Sequence, residues 1–406
     1  MKVAMLGWEL PPHNSGGLGV ACFQLCKALA HGGVDIDFIL PYSGQPEVDF
    51  MNVRAAIPVD VEQVRRLGMA YESFRYHLPG NETVDVGLFE HQEDFAVVAE
   101  QIVTNEPYDV IHAHDWLTFR AALRAKEASG LPLIVHIHSV EADRAGGEHS
   151  GNPLVREIES AGLHAADSII AVSGHTKAAI IREYGIPASK IAVIHNSIDH
   201  EVFSDTPFTA DRMEYQYIQT LKEHGWRVVM NVGRLPIQKG LDYLLQAAAL
   251  VVEQAPKTLF VFVGSGEQRD ELIMKAAEYG IADKVFFAGF QRGKRWRDSF
   301  KIADLFVMPS VSEPFGLAPL EAIGYGTAAL VSKQSGVSEV MNNVLKVDFW
   351  DVHKLAEYMT AVVRNDELRD ELHANAIAEM VDLSWHRQVP HFIGLYHKVQ
   401  AAGGIT

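Results

Sequence analysis

Short apolar runs alternate with amphipathic stretches along almost the whole 406-residue chain, and this rhythm restricts the possible folds more than any other feature. Strand-like runs fall at 3–6, 35–40, 110–113, 133–137, 168–172 and 191–194, and a second series at 228–232, 259–263, 285–288, 305–308 and 328–331. Helical patterns lie between most of them, for example 18–30, 241–253 and 268–279. Such alternation requires parallel sheets joined by crossover helices. The runs are rich in Val and Ile without polar alternation, which suits strands covered on both faces. The expected class is α/β. The rhythm breaks near 196–208, NSIDHEVFSDTPF, so one doubly wound domain is expected over 1–200 and a second over 201–383. An amphipathic helix follows over 384–406, with Ser384 as its cap. Ligands of such units bind at the carboxyl ends of the strands, here expected between the two domains. Segment 46–86 is poorly periodic and receives no assignment.

Charge narrows the function. The net charge is −17; residues 1–200 hold 14 Lys+Arg and 26 Asp+Glu, giving −12, and the remainder gives −5. An acidic front half disfavours nucleic acid and anionic lipid surfaces and is compatible with a neutral polyol. No uninterrupted apolar stretch reaches the roughly 18 residues of a spanning helix. The N-terminus, MKVAMLGWEL, reads as a first strand rather than a signal peptide. Cys22 and Cys26, one helical turn apart, read as two small core residues. The lack of a disulfide framework fits a reducing cytoplasm.

Four motifs carry chemistry. After the apolar run 305–308 comes SEPFGLAPLE (312–321), in which Glu313 and Glu321 bracket a Phe315-Gly316-Leu317 turn. Free amides at such a turn suit an anion, and carboxylates accept hydrogen bonds from vicinal hydroxyls, so together they suggest a nucleotide-sugar. The plainer alternative is a loop glutamate and a helix first-turn glutamate. After the run 228–232 comes GRLPIQKG (233–240); Arg234 offers a bidentate fork and Lys239 a mobile charge, both suited to a diphosphate. Near the N-terminus, Gly16 and Gly17 open the helical stretch within GGLG. A dinucleotide fingerprint is disfavoured there: Cys22 occupies the third glycine position and the connection from the strand is too long. IHAHDW (111–116) and VHIHS (135–139) place His112, His114, His136 and His138 at two strand ends, with His138 expected to reach the site mouth. A metal centre is disfavoured because no H-E-x-x-H is present and no Cys lies nearby in sequence. Asp35-Ile36-Asp37 begins a buried strand and reads as structural.

These motifs, in this order, resemble retaining glycosyltransferases of family 4, with kinship to bacterial and archaeal glycogen and starch synthases. The resemblance covers nearly the whole chain and rests on PPHNSGGLG (11–19), HAHDW (112–116), HIHS (136–139), AVSGHT (171–176), HNSID (195–199), GRLPIQKG, VGSGE (263–267) and SEPFGLAPLE. It implies a GT-B architecture of two Rossmann-like domains facing a cleft, with the last helix crossing back to the first domain. It further implies that Arg234 and Lys239 bind the donor diphosphate. Glu313 would hold donor-sugar hydroxyls, Glu321 the ribose, and the amides around Phe315, Gly316 and Leu317 the sugar and phosphate. Gly16 and Gly17 would close on the diphosphate, and His138 and Asp115 would sit beside the transferred sugar. The family's usual Asn-Gly-Ile-Asp is Asn196-Ser197-Ile198-Asp199 here, and Asn14-Ser15 stands where its glycogen synthases often carry a Lys.

Retention in glycosidases uses two opposed carboxylates about 5 Å apart. Glu313 and Glu321 belong to one domain and no opposed nucleophile is evident, so front-face attack is expected, with the leaving phosphate accepting the proton. The expected catalytic set is His138, Arg234, Lys239 and Glu313, with no metal and no cofactor beyond an ADP- or UDP-sugar donor. A soluble saccharide acceptor is expected, the loop 141–152 with Asp143, Arg144 and Glu148 offering polar groups. The alternatives are a lipid or cell-wall saccharide acceptor and a nucleotide-dependent epimerase or oxidoreductase.

Overall fold

A computed structural model describes residues 1–11, 17–43, 48–57, 60–64, 73–78, 82–147, 149–199, 203, 208 and 213–403. The chain divides into two compact units. The first comprises Met1–Ala142, Gly151–Ser197 and Trp385–Thr406; the second comprises Asp143–Ser150 and Ile198–Ser384.

In the first unit, β1 (Lys2–Leu6), β2 (Asp35–Leu40) and β3 (Asn52–Ala55) lie in one parallel sheet with strands from later in the chain. A small antiparallel sheet, β4 (Asp60–Val64), β5 (Ser73–Leu78) and β6 (Glu82–Gly87), occupies the weakly periodic segment. The large sheet continues with β7 (Val110–His114), β8 (Leu133–Ile137), β9 (Ser168–Ala171) and β10 (Ile191–Val193). Its order is β10-β9-β8-β7-β1-β2-β3, so the winding reverses between β1 and β7. Val3–Leu6 and the β7 and β8 strands are almost wholly excluded from solvent, as runs without polar alternation require. Asp37 is buried within β2: the Tyr108 hydroxyl donates to it at 2.5 Å, and Arg54 and Lys2 pair with it at 3.0 and 3.4 Å. This network accounts for Asp37, while Asp35 at the start of the strand is exposed.

The helix Trp385–Gly403 belongs to this unit and packs against the helix Gly17–His31. Trp385, Phe392 and Tyr396 on it are buried, and the Tyr396 hydroxyl lies 2.7 Å from His112 Nδ1. Cys22 and Cys26 are free and buried, with the thiol pKa of each raised by burial, as small core residues. AVSGHT forms a helix start: Ser173 Oγ accepts from the Thr176 amide at 3.0 Å and caps Gly174–Tyr184.

In the second unit, β11 (Arg227–Val232), β12 (Thr258–Val263), β13 (Val285–Gly289), β14 (Leu305–Met308), β15 (Ala328–Ser332) and β16 (Leu345–Val347) form a parallel sheet of order β13-β12-β11-β14-β15-β16. Its winding reverses between β11 and β14. Helices Leu241–Gln254 and Val352–Arg364 cover one face, burying Leu244, Leu245, Val251, Leu355, Met359 and Val362. Asp143–Ser150 groups with this unit, where Ser312 Oγ donates to Asp143 Oδ1 at 2.6 Å. Among the described residues no helix is long and apolar enough to cross a membrane.

Candidate functional site

Both reversals of winding expose strand ends between diverging loops, the usual place for a ligand in open α/β sheets. In the first unit the ends of β7 and β8 carry the histidines. His112, His114 and His136 are fully buried, while His138, the first residue past β8, is half-buried. His114 Nδ1 lies 3.0 Å from His138 Nε2, and His114 Nε2 lies 3.0 Å from Met5 Sδ. Ring centroids of His136 and His138 are 4.3 Å apart and those of His112 and His114 4.6 Å. Burial holds all four rings neutral, with His112 and His138 each pushed down to about 3 and His114 and His136 also lowered. Phe392 and Tyr396 close the column from the C-terminal helix.

Asp115 follows at once and has φ 54° and ψ 170°, a region that non-glycine residues avoid at a cost of about 1–3 kcal/mol. Its surroundings fix it. The amide donates to the His136 carbonyl at 3.0 Å, Oδ1 accepts the His138 amide at 2.7 Å, and Thr118 donates to its carbonyl. The strained backbone turns a buried carboxylate onto the start of the His138 loop. Gly17 begins the helix Gly17–His31 and is exposed, with open space where a Cβ would stand; Gly16 and Glu148 lie outside the described residues.

Potential metal ligands do converge here. Donor atoms of His112, His114 and His136 lie within 4.8 Å of one another, and so do those of Cys22, His114 and His138. The sequence reading weighed a metal cluster of the four histidines and disfavoured it; what it missed is Cys22, which is remote along the chain. A tetrahedral shell at about 2.0–2.1 Å would need the donors drawn to roughly 3.3 Å. Three of the six nitrogens of the histidine trio already face Tyr396, His138 and Met5.

In the second unit, β11 and β14 are neighbours, so their following loops leave the sheet side by side. The β11 loop carries Arg234, which is exposed and makes no hydrogen bond or ion pair among the described residues. Lys239 pairs with Glu313 of the β14 loop, and both side chains are largely buried. Ser310 Oγ donates to the same Glu313 oxygen at 3.2 Å. Gly316 has φ +93°, and a Cβ there would meet Met308 Cε at 2.8 Å, so the turn accepts only glycine. Phe315 is buried beneath it. The amides of Gly316 and Leu317 donate to no group among the described residues, whereas the Phe315 carbonyl accepts from Val337 at 2.7 Å. Glu321 lies in the first turn of Ala318–Gly324; no group hydrogen-bonds its carboxyl among the described residues, and burial raises its pKa to about 8.

The structure thus gathers Arg234, Lys239, Glu313, Phe315, Gly316, Leu317 and Glu321 on adjoining loops of one unit. His138 and Asp115 are gathered at the matching place of the other. Sequence reasoning passed over Gln238 and Ser312, which join the two loops, over Ser310, which holds Glu313 within the β14 loop, and over Met5 and Tyr396, which flank the histidines. A polar residue beside each charged one was the available signal for the loops; nothing local marked Tyr396.

Residues 15–202 match the family described as Glycosyltransferase Family 4, and residues 216–379 match Glycosyl transferases group 1. An uncharacterised glycosyltransferase of Methanocaldococcus jannaschii is 31% identical over 344 residues, covering 84% of this chain and 83% of that protein. A glycogen synthase of Mycobacterium tuberculosis is 29% identical over 349 residues, covering 84% and 80%. The solved sucrose-phosphate synthase of Thermosynechococcus elongatus superposes with a TM-score of 0.76 at 21% identity, over 99% of this chain and 100% of that one. That likeness shows the fold, two Rossmann-like domains of GT-B type. The chain belongs to glycosyltransferase family 4, with glycogen synthases among its relatives.

Proposed function

We propose that the protein transfers a glucosyl-type unit from ADP- or UDP-glucose to a saccharide acceptor with retention, forming an α-linkage as a glycogen synthase does. The observation that carries this reading is the grouping at the β11/β14 reversal of two cations, two carboxylates and two unoccupied loop amides. Arg234 and Lys239 neutralise the diphosphate in the ground state and its growing charge as the glycosidic bond breaks. Glu313, set by Lys239 and Ser310, accepts hydrogen bonds from donor-sugar hydroxyls. Glu321 takes the ribose diol, and the Gly316 and Leu317 amides face the sugar and phosphate. His138 and Asp115 bind the sugar being transferred, with Gly16 and Gly17 on the diphosphate. Glu313 and Glu321 belong to one unit and are assigned here to hydroxyl binding, which favours front-face attack with the leaving phosphate accepting the acceptor's proton. Two cations supply charge that a metal ion would otherwise supply, so no metal is required. A soluble saccharide acceptor and a cytoplasmic location complete the reading.

The test is incubation with ADP-glucose or UDP-glucose and either maltooligosaccharides or membrane extract, in EDTA, with proton NMR of the product. An α-anomeric oligosaccharide formed in EDTA is the expected result. A β product, or EDTA inhibition reversed by manganese, overturns the mechanism, and label confined to lipid overturns the acceptor.

Glu321 gives a second expectation. With its pKa near 8, the carboxyl is mostly protonated at pH 7, whereas a diol is best bound by the carboxylate. Nucleoside diphosphate binding should therefore release a proton and strengthen as pH rises from 7 to 9. Calorimetry in buffers of different ionisation enthalpy reads the proton directly. Glu321→Gln should remove both the proton release and the pH slope and weaken the free nucleotide, whereas Glu313→Gln should weaken the nucleotide-sugar more than the nucleotide. Affinity that stays flat or falls with pH contradicts the ribose role.

A further inference from the structure

Gln238 sits in a short 3-10 turn, Ile237–Lys239, between the two cations of the β11 loop, and is 6% exposed. Its backbone carbonyl accepts the Val311 amide at 2.8 Å, and its side-chain amide donates to the Ser312 carbonyl at 2.7 Å. One residue therefore holds the β14 loop at two adjacent points. The next residue, Lys239, pairs with Glu313, and Ser310 holds that carboxylate from the other side. Gly240 closes the turn at φ +63°, and a Cβ there would stand 2.1 Å from the Pro309 carbonyl oxygen, so the loops touch backbone to backbone. The β11 loop is anchored behind as well, the Leu235 amide donating to Ser265 at 3.0 Å.

We infer that Gln238 is a positioning residue for the transfer reaction, locking the loop of Lys239 to the loop of Glu313 so that cation and carboxylate meet the donor in fixed register. This rests on the proposed roles of Lys239 and Glu313. Chemistry explains the residue type: the Ser312 carbonyl needs a neutral N–H donor. A glutamate of the same shape would face that carbonyl with lone pairs and add negative charge beside a diphosphate site. Direct substrate contact is not needed. A shift of about 1 Å between two groups that act together lowers a rate about a hundredfold.

The test compares wild type, Gln238→Met and Gln238→Glu, each alone and in a Lys239→Ala background. Thermal melts, UDP-glucose and ADP-glucose turnover with maltooligosaccharides, and nucleoside diphosphate titration are measured. The methionine keeps length and burial without the donor; the glutamate keeps shape and reverses the polarity. Expected are near wild-type melts and a kcat lowered roughly tenfold or more, with affinity for free nucleoside diphosphate changed by less than about threefold. Glutamate should be the more damaging change. In the Lys239→Ala background the same changes should have less than about a threefold effect, because the group they position is gone. Wild-type turnover in both single variants, or the same fold-loss with and without Lys239, overturns the inference. Loss of cooperative melting in both variants also overturns it, since the residue would then be a general stabiliser. A wild-type protein that neither binds nor turns over any nucleotide-sugar overturns the proposed function instead, and this inference with it.

Discussion

Lys239→Ala should lower glycosyl transfer by about 10²–10³-fold, equivalent to roughly 2.7–4 kcal/mol of transition-state stabilisation. Arg234→Ala should fall in the same range or somewhat below it. The difference follows from their surroundings. Arg234 is exposed and unpaired among the described residues, so its removal takes away one charge-assisted contact and nothing else. Lys239 is paired with Glu313, whose side chain is 12% exposed. Removing Lys239 leaves that carboxylate without its cation beside the proposed position of a diphosphate, adding repulsion to the lost attraction. The double variant Lys239→Ala with Glu313→Gln should therefore bind nucleoside diphosphate better than Lys239→Ala alone, although it regains no transfer. Stability should change by less than about 1 kcal/mol in Arg234→Ala, an exposed position. Steady-state kinetics with calorimetric titration separates these effects. Near-normal turnover in both single variants would sink the clamp, and a double variant that binds no better than Lys239→Ala would sink the account of Glu313.

What the sequence makes legible follows from which forces are local. The runs at 35–40, 133–137 and 305–308 coincide with β2, β8 and β14, because a strand buried on both faces is mostly apolar, with Asp37 and His136 the buried exceptions. The helix Leu241–Gln254 is equally plain, having a strong stripe of Leu and Ala bounded by Gly240. Segment 46–86 hides β3 and the antiparallel β4-β5-β6 sheet. There β6 faces water along most of its length, so the apolar signal thins to Val86. The short β16 was also passed over; it holds three residues, of which only Val347 is buried. At the site, residue types with a single chemical use were legible: Arg234, Lys239, Glu313 and the glycines. The Lys239–Glu313 pair was not, because it spans a separation of 74 residues and depends on β11 and β14 being neighbours. The same holds for Gln238 and Ser312, whose only signal is the register of two loops. The histidines show both limits. Two strand ends announced four imidazoles, yet nothing local told that Met5 and Tyr396 would enclose them.

That enclosure predicts acid lability in the first unit. His112, His114 and His136 are fully buried and all held neutral by burial, the first with a pKa of about 3. Neither nitrogen of His136 and only Nδ1 of His112 has a hydrogen-bond partner among the described residues. Met5 and Tyr396, which face the column, are neutral and offer no anion to stabilise an imidazolium. In the unfolded chain each ring titrates near its ordinary value of about 6.5. Between that value and about 3 the unfolded state therefore binds more protons than the folded one, and stability falls as pH falls through this window. Each ring contributes up to about 1.4 kcal/mol per pH unit; His112 and His138, both lowered to about 3, and His91, lowered to about 4, together give a slope of up to about 4 as pH falls toward 5, and His114 and His136 add in the same direction. At pH 5 each of the first three has lost about 2 kcal/mol relative to pH 7, and their sum of about 6 is comparable with the 5–15 kcal/mol stability of an ordinary domain. Urea unfolding measured from pH 7.5 to pH 5 should show this slope. His136→Leu removes one titrating ring together with its unpartnered nitrogens, so the slope should become shallower. Whatever its stability at pH 7, the variant should gain on wild type as pH falls from 7 to 5. Stability independent of pH over that range, or a constant gap between His136→Leu and wild type, would show that the column takes up protons while folded and is reached by solvent.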